Sequence, residues 1–282
     1  MTEQATGAPK QIAQQLPERQ REHKLTLVSA GVAFYAFLAF VPALVVIVTV
    51  YGLVATPADI QRQVHDFAGA LPQEVQGFIQ QQIASIGSAS GAGVSVTLLI
   101  AVVLALWSAS GGMAALVSGV NVAREQAEPK SFVKKRGKAL ALTFGAVLLL
   151  VVMMFLIAAL PSILADAGLG TAGRVVLNVL RWPLLAIVMV LALGVLYRVA
   201  VQEPKPAGFG VVTPGALVAT LLWLVLSGLF AVYTANFASY SKTYGSLASI
   251  VVVLLWLYLS ALAVLLGAEI DGASTAPRTR TG

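Results

Sequence analysis

The sequence predicts an all-α, polytopic membrane protein with six transmembrane helices. Three observations carry this. The chain of 282 residues is 58% hydrophobic and only 11% charged, with a mean hydropathy of +0.87, whereas soluble domains run about 45–50% apolar and ~25% charged. Its apolar residues fall in runs of ~20 or more, enough to cross a ~30 Å hydrocarbon core as a helix. Its basic residues sit unevenly on the segments that join those runs.

Apolar length places the spans at 27–54, 94–118, 139–163, 182–201, 211–235 and 246–268. A polar tail, 1–24, precedes the first run, which is far longer than the apolar core of a cleavable signal. The domain reading is thus a polar tail (1–24), a membrane domain (25–271) and a flexible tail (272–282). Alternation of sides puts Lys10, Arg19, Arg21 and Lys24 together with Arg124, Lys130, Lys134, Lys135, Arg136 and Lys138. Arg198, Lys205, Arg278 and Arg280 join them, against Arg62, Arg174, Arg181 and Lys242 on the other side. Positive charge favours the cytoplasm, so both termini are expected inside the cell, at the inner membrane. The net charge of +6 follows from this asymmetry and from contact with anionic lipid. It does not call for a nucleic-acid partner.

The largest segment outside the membrane, 55–93, reads as two external amphipathic helices split by Pro72. Ile60, Val64, Phe67 and Leu71 follow helical spacing, as do Val75, Ile79, Ile83 and Ile86. They lie flat in the interface or cap a cavity between the spans.

Candidate transport-path residues come from the places where the spans depart from plain lipid-facing helix. The first span holds Tyr35 and Pro42; proline removes a backbone donor and favours a kink, which is structural or gating. The second carries Trp107, Ser108, Ala109, Ser110, Gly111 and Gly112. Small residues either let helices approach closely or form an unwound stretch facing a cavity. Asn121 beyond them caps or binds. In the last span Tyr258 lies near mid-depth and needs a hydrogen-bond partner. Glu269 closes that span, to pair with Arg198 or a basic loop residue, or to titrate during transport. A candidate outer mouth comprises Arg181, Tyr240, Lys242 and Tyr244; an aromatic belt and a snorkelling arginine explain the same residues. Arg181-Trp182-Pro183 reads as the opening of the fourth span, with proline at the first helical position.

Catalytic and cofactor chemistry finds little support. The absence of cysteine excludes disulfides, thiolate metal sites and cysteine nucleophiles. A metal-dependent nuclease needs clustered His and Asp around an activated water. This chain offers His23 and His65, expected on opposite sides of the membrane. No catalytic, metal or cofactor residues are therefore assigned, and the chain is not expected to be an enzyme. Membrane lipid and a small-molecule or lipid substrate are the expected partners. Small-residue helix faces also permit a homo-oligomer.

The segments Tyr244-Gly245-Ser246-Leu247, Leu255-Trp256-Leu257-Tyr258 and Leu266-Gly267-Ala268-Glu269-Ile270 resemble the end of the YihY/BrkB family of bacterial inner-membrane proteins. Ala33-Phe34-Tyr35 through Pro42, the run from Trp107 to Asn121, the basic stretch from Phe132 to Arg136, and the pairs Arg181-Trp182 and Tyr197-Arg198 extend that resemblance over 25–271. Family members usually carry Asn after Glu-Ile, where this chain has Asp271. The resemblance implies six spans and one of several roles. Some members were once labelled ribonuclease BN, some are linked to serum resistance and virulence, and others to export of solutes or lipid-like molecules. The leading expectation is a transporter, exporter or flippase-like protein; the other is a non-transporting scaffold for envelope assembly.

Overall fold

Apolar runs this long leave their backbone groups only one way to be satisfied in hydrocarbon, by bonding within the helix. The computed structural model describes residues 22–52, 96–127, 131–154, 156, 171–201, 210–235 and 246–275. Six long helices lie within them: α1 (Leu25–Gly52), α2 (Val96–Ala123), α3 (Phe132–Met154), α4 (Thr171–Ala200), α5 (Pro214–Ala235) and α6 (Ser246–Thr275). There is no strand among the described residues. Five stretches are long and apolar enough to cross a membrane: Val102–Ala123, Phe132–Met153, Trp182–Ala200, Pro214–Thr234 and Ile250–Ser274. α1 is apolar as well, over a helix of 28 residues. The external helices expected between 55 and 93 lie outside the described residues.

Several boundaries differ from the expectation, each because polar residues continue a helix that apolar length alone would end. α2 runs on to Ala123, so Asn121 is helical. α3 begins at Phe132, which takes Lys134, Lys135, Arg136 and Lys138 out of the loop and into a helix. α4 begins at Thr171 and carries Pro183 inside it; proline does not open this helix. α6 runs past Asp271 to Thr275.

The buried core gathers at one end of the bundle. It comprises Leu25 from the start of α1, Val117, Val120 and Ala123 from the end of α2, and Val190, Leu193, Leu196, Tyr197 and Ala200 from the end of α4. Ala216 and Ala219 near the start of α5, and Val264, Leu265 and Ala268 near the end of α6, complete it. Elsewhere large aliphatic side chains such as Leu104, Leu221, Leu229 and Val232 point outward, the surface expected where lipid is the solvent.

Association of helices in lipid relies on close packing, which small residues allow. Gly112 of α2 rests on α1: a Cβ there would lie 3.0 Å from the Ala39 Cβ and 3.2 Å from the Tyr35 carbonyl oxygen. Gly119 is pressed between Leu265 and Val28. The tightest crossing joins α5 to α6. A methyl on Gly215 would overlap the Gly267 carbonyl oxygen, and one on Gly267 would meet the Ala219 Cβ and the Tyr197 hydroxyl, each at 2.6 Å. Gly194 of α4 similarly leaves room for the Val211 carbonyl.

These contacts separate glycines that matter from those that do not. Gly267→Ala should destabilise the protein by ~1–3 kcal/mol, the usual cost of overpacking. Gly228→Ala, which meets nothing within 4 Å, should leave stability unchanged or slightly raised. Thermal unfolding of both variants in detergent micelles measures the difference.

Candidate functional site

The end of the bundle that holds the core also holds the buried Ser29, Asn121, Thr213, Glu269 and Asp271, and the helix termini explain the acids. The first turn of a helix has N–H groups without intrahelical partners. In α5 these are met in two ways. Thr213, just before the helix, accepts from Ala216 N–H through its Oγ1 at 3.1 Å, and its carbonyl accepts the first helical bond from Leu217 N–H. Pro214 fills the first helical position, where no donor is needed. Gly215 N–H, the next donor, is taken by Oδ1 of Asp271 at 2.7 Å. Asp271 belongs to α6 and is fully buried. An anion at a helix N-terminus is favoured by the orphan donors and by the helix dipole together.

The C-terminus of α4 is met from the opposite side. Arg124, just past α2, donates from Nη1 to the Tyr197 carbonyl oxygen at 3.2 Å. The Tyr197 hydroxyl donates to the Val264 carbonyl oxygen of α6 at 2.6 Å. Burial pushes the Arg124 guanidinium below its usual value, while the neighbouring Asp271 and Tyr197 push it back up; a guanidinium remains charged throughout. Arg124 therefore supplies a positive charge beside Asp271 while capping α4.

Glu269 sits two residues before Asp271, about 200° away around the helix, and so faces a different partner. Its carboxylate lies 3.0 Å from Nδ1 of His23, just ahead of α1. On the other side of that imidazole, Nε2 lies 3.5 Å from the Glu125 carboxylate. Glu125 owes its place to the turn that ends α2. Its N–H bonds the Val122 carbonyl and the Gln126 N–H bonds the Asn121 carbonyl, a Schellman arrangement. The residue at the turn has φ 53°, a left-handed value where glycine is usual and a side chain costs roughly 1–2 kcal/mol. With glycine there, His23 would lose its second carboxylate.

Two further buried groups stand near these helix ends. Ser29 of α1 and Asn121 of α2 are fully buried, and neither the Ser29 hydroxyl nor either polar atom of the Asn121 amide has a hydrogen-bond partner. Buried polar atoms of this kind are usually met by ordered water. Among the described residues no three His, Asp or Glu side chains are placed to hold a metal ion.

The residues singled out from sequence are distributed as follows. Glu269 is fully buried, with His23 as a partner, while Arg198 is exposed. Ser110 is buried and its hydroxyl bonds its own helix at the Trp107 carbonyl, 2.6 Å away. Ser108 and Tyr35 are exposed, and Pro42 and Tyr258 are half-buried. A Cβ at Gly111 would meet nothing within 4 Å. α2 stays helical through this whole segment, so it is not unwound. The side chain of Arg181, and Tyr240, Lys242 and Tyr244 entirely, lie outside the described residues.

Sequence reasoning passed over several contacts. Arg136, read as a loop cation, packs on Trp107: its guanidinium lies 4.2 Å from the ring centroid and donates to the Trp107 carbonyl. Trp223 of α5 donates to Ser260 of α6 at 3.0 Å. Thr213 could have been found, since Thr-Pro-Gly before an apolar run is a helix-start signature. Which acid would cap that helix had no local signal.

Residues 16–281 match the family profile described as Virulence factor BrkB. The chain belongs to the BrkB family. Among curated relatives it is 32% identical over 249 residues to the ribonuclease-like protein YfkH of Bacillus subtilis (strain 168), covering 86% of this chain and 87% of that one. It is 29% identical over 264 residues to a UPF0761 membrane protein of Rhodospirillum centenum (strain ATCC 51521 / SW), covering 90% of this chain and 55% of the relative. A UPF0761 membrane protein of Xanthomonas oryzae pv. oryzae shares 43% identity over a stretch of 65 residues, 23% of this chain and 15% of the relative. The chain thus spans most of the Bacillus protein and about half of the Rhodospirillum one. No solved structure matches it. The ribonuclease-like wording belongs to that relative's name. In this BrkB-family protein one buried acid, Asp271, caps a helix and the other, Glu269, pairs with a histidine.

Asp271→Ala removes the acceptor of Gly215 N–H and the counter-charge of Arg124, and should cost ~2–4 kcal/mol, the sum of a lost cap and a stranded charge. Asp271→Asn keeps an oxygen for Gly215 and should cost about half as much or less. Chemical or thermal unfolding in micelles, with helical circular dichroism as readout, ranks the two.

Proposed function

We propose that this protein is a six-span inner-membrane transporter, an exporter or flippase-like carrier of a small or lipid-like solute, with both termini in the cytoplasm. α1 supplies the sixth span: its 28 residues, at ~1.5 Å each, exceed a ~30 Å hydrocarbon core. The distribution of Lys and Arg supports the orientation, and the core end of the bundle is then the cytoplasmic one. The candidate path follows Tyr35, Pro42, Ser108, Ser110, Gly111 and Tyr258, with Arg181, Tyr240, Lys242 and Tyr244 toward the outer mouth. No catalytic role is assigned to the chain.

One observation carries the reading: Glu269, fully buried near the end of an apolar helix, is held by a histidine ahead of α1. An ionisable side chain in a spanning helix is costly and marks a functional site by default. In this reading the Glu269–His23 contact latches α6 to α1, and solute passage requires the latch to open. A second reading, a scaffold that moves nothing, is favoured by a different observation. α2 rests directly on α1 at Gly112, inside the candidate path.

Proteoliposomes loaded with a panel of phospholipids and osmolytes separate the readings. Transport predicts movement of at least one solute class, reduced about tenfold or more in Glu269→Gln, within the usual range of coupling energies. Ser110→Leu should also slow it. Movement of no solute leaves the scaffold reading standing, and movement untouched by both changes overturns the assigned path and latch.

A further inference from the structure

A groove of about 310 Å³ lies between α4 and α5 on the lateral face of the bundle. That is the lower end of the ~300–1,000 Å³ typical of ligand sites. Its floor includes the buried Val190 and Thr220, and its rim the exposed Ile187, Leu191, Leu217 and Leu221. The polar side chain in this lining is Thr220, and its hydroxyl already donates to the Ala216 carbonyl of its own helix at 2.8 Å. The groove therefore offers a bound molecule contact with hydrocarbon and no hydrogen bond. A sugar, an amino acid or an ion would lose its water there without compensation.

A charge at one end of the groove restricts the occupant further. Val212 lines that end, where Val211 packs on Gly194 of α4. One turn beyond Gly194 stands Arg198, exposed at the last turn of α4. Ile187, Leu191, Val195 and Arg198 recur at helical spacing and are all exposed, so the cation continues the apolar stripe. The nearby N-terminus of α5 adds no anion site of its own, because Asp271 and Thr213 already occupy its donors.

We propose that the α4–α5 groove binds one acyl chain of an anionic phospholipid, with the lipid phosphate at Arg198. The lipid comes from the leaflet on the side where α4 and α6 end. The chain fills the apolar channel, and the guanidinium pairs with the phosphate in the bidentate manner that suits arginine. The site is independent of the transport reading, since a resident lipid needs no solute to move.

The test uses the full chain in liposomes of mixed phosphatidylglycerol and phosphatidylcholine, with a photoactivatable diazirine in the acyl chain of either lipid. Label from the phosphatidylglycerol probe should concentrate on 186–191 and 217–224, and excess unlabelled phosphatidylglycerol should suppress it there more than elsewhere. Leu221→Trp, which fills the groove, should reduce that labelling severalfold, while Val225→Trp on an exposed position outside the lining should not. Arg198→Gln, an exposed change, should reduce the preference for phosphatidylglycerol over phosphatidylcholine about fivefold, the contribution expected of one basic residue near the surface. Label spread evenly over all exposed helix faces would overturn the proposal. So would a preference unchanged in Arg198→Gln, or cross-links from this face to a second copy in place of lipid. The competition arm uses unmodified protein, so it decides the matter even where Leu221→Trp fails to fold.

Discussion

Asp271 at the N-terminus of α5 is the contact on which the arrangement of this bundle depends. The carboxylate reaches Gly215 N–H because α5 and α6 cross with backbone against backbone at Gly215 and Gly267. Each condition requires the other. Without two glycines the helices could not approach, and without the carboxylate the first turn of α5 would bury an unsatisfied donor. Tyr197 fits into the same crossing, its hydroxyl beside Gly267 and bonded to the Val264 carbonyl. Through Arg124, which bonds the Tyr197 carbonyl, the end of α2 joins the same set.

Glu269 extends that set to the start of the chain. Its pairing with His23 holds α6 to the segment before α1, and Glu125 holds the same imidazole from the turn after α2. Polar contacts between helix ends thus supplement the close packing that holds helices together in lipid. An amide oxygen at position 271 would serve the Gly215 donor as the carboxylate does, and only the charge beside Arg124 would differ.

The polar end and the α4–α5 groove assign different chemistry to different parts of one bundle. At the end, buried charges are paired and backbone donors occupied, which favours a fixed joint or a latch over a binding pocket. On the lateral face the lining offers only hydrocarbon contact, and a single cation marks its end. A lipid-like ligand suits the second and no polar solute does. Both lie where the sequence reading placed no candidate beyond Asn121, Glu269 and the Tyr197-Arg198 pair.

Sequence alone determined the all-helical membrane class, the family and the approximate places of the six long helices, because each depends on local or summed properties. Apolar length specifies a membrane helix one segment at a time, and motifs such as Leu255-Trp256-Leu257-Tyr258 are read in order along the chain. Even the start of α5 was legible in Thr213-Pro214-Gly215, where threonine caps and proline needs no donor. Tertiary structure alone decided the partners. Of 25 glycines, only packing shows that Gly215 and Gly267 are contacts while Gly228 faces open space. The partner of Glu269 is 246 residues away at His23, and Asp271 caps a helix 56 residues earlier. Such pairings depend on where helix ends meet in space, and hydropathy carries no record of that.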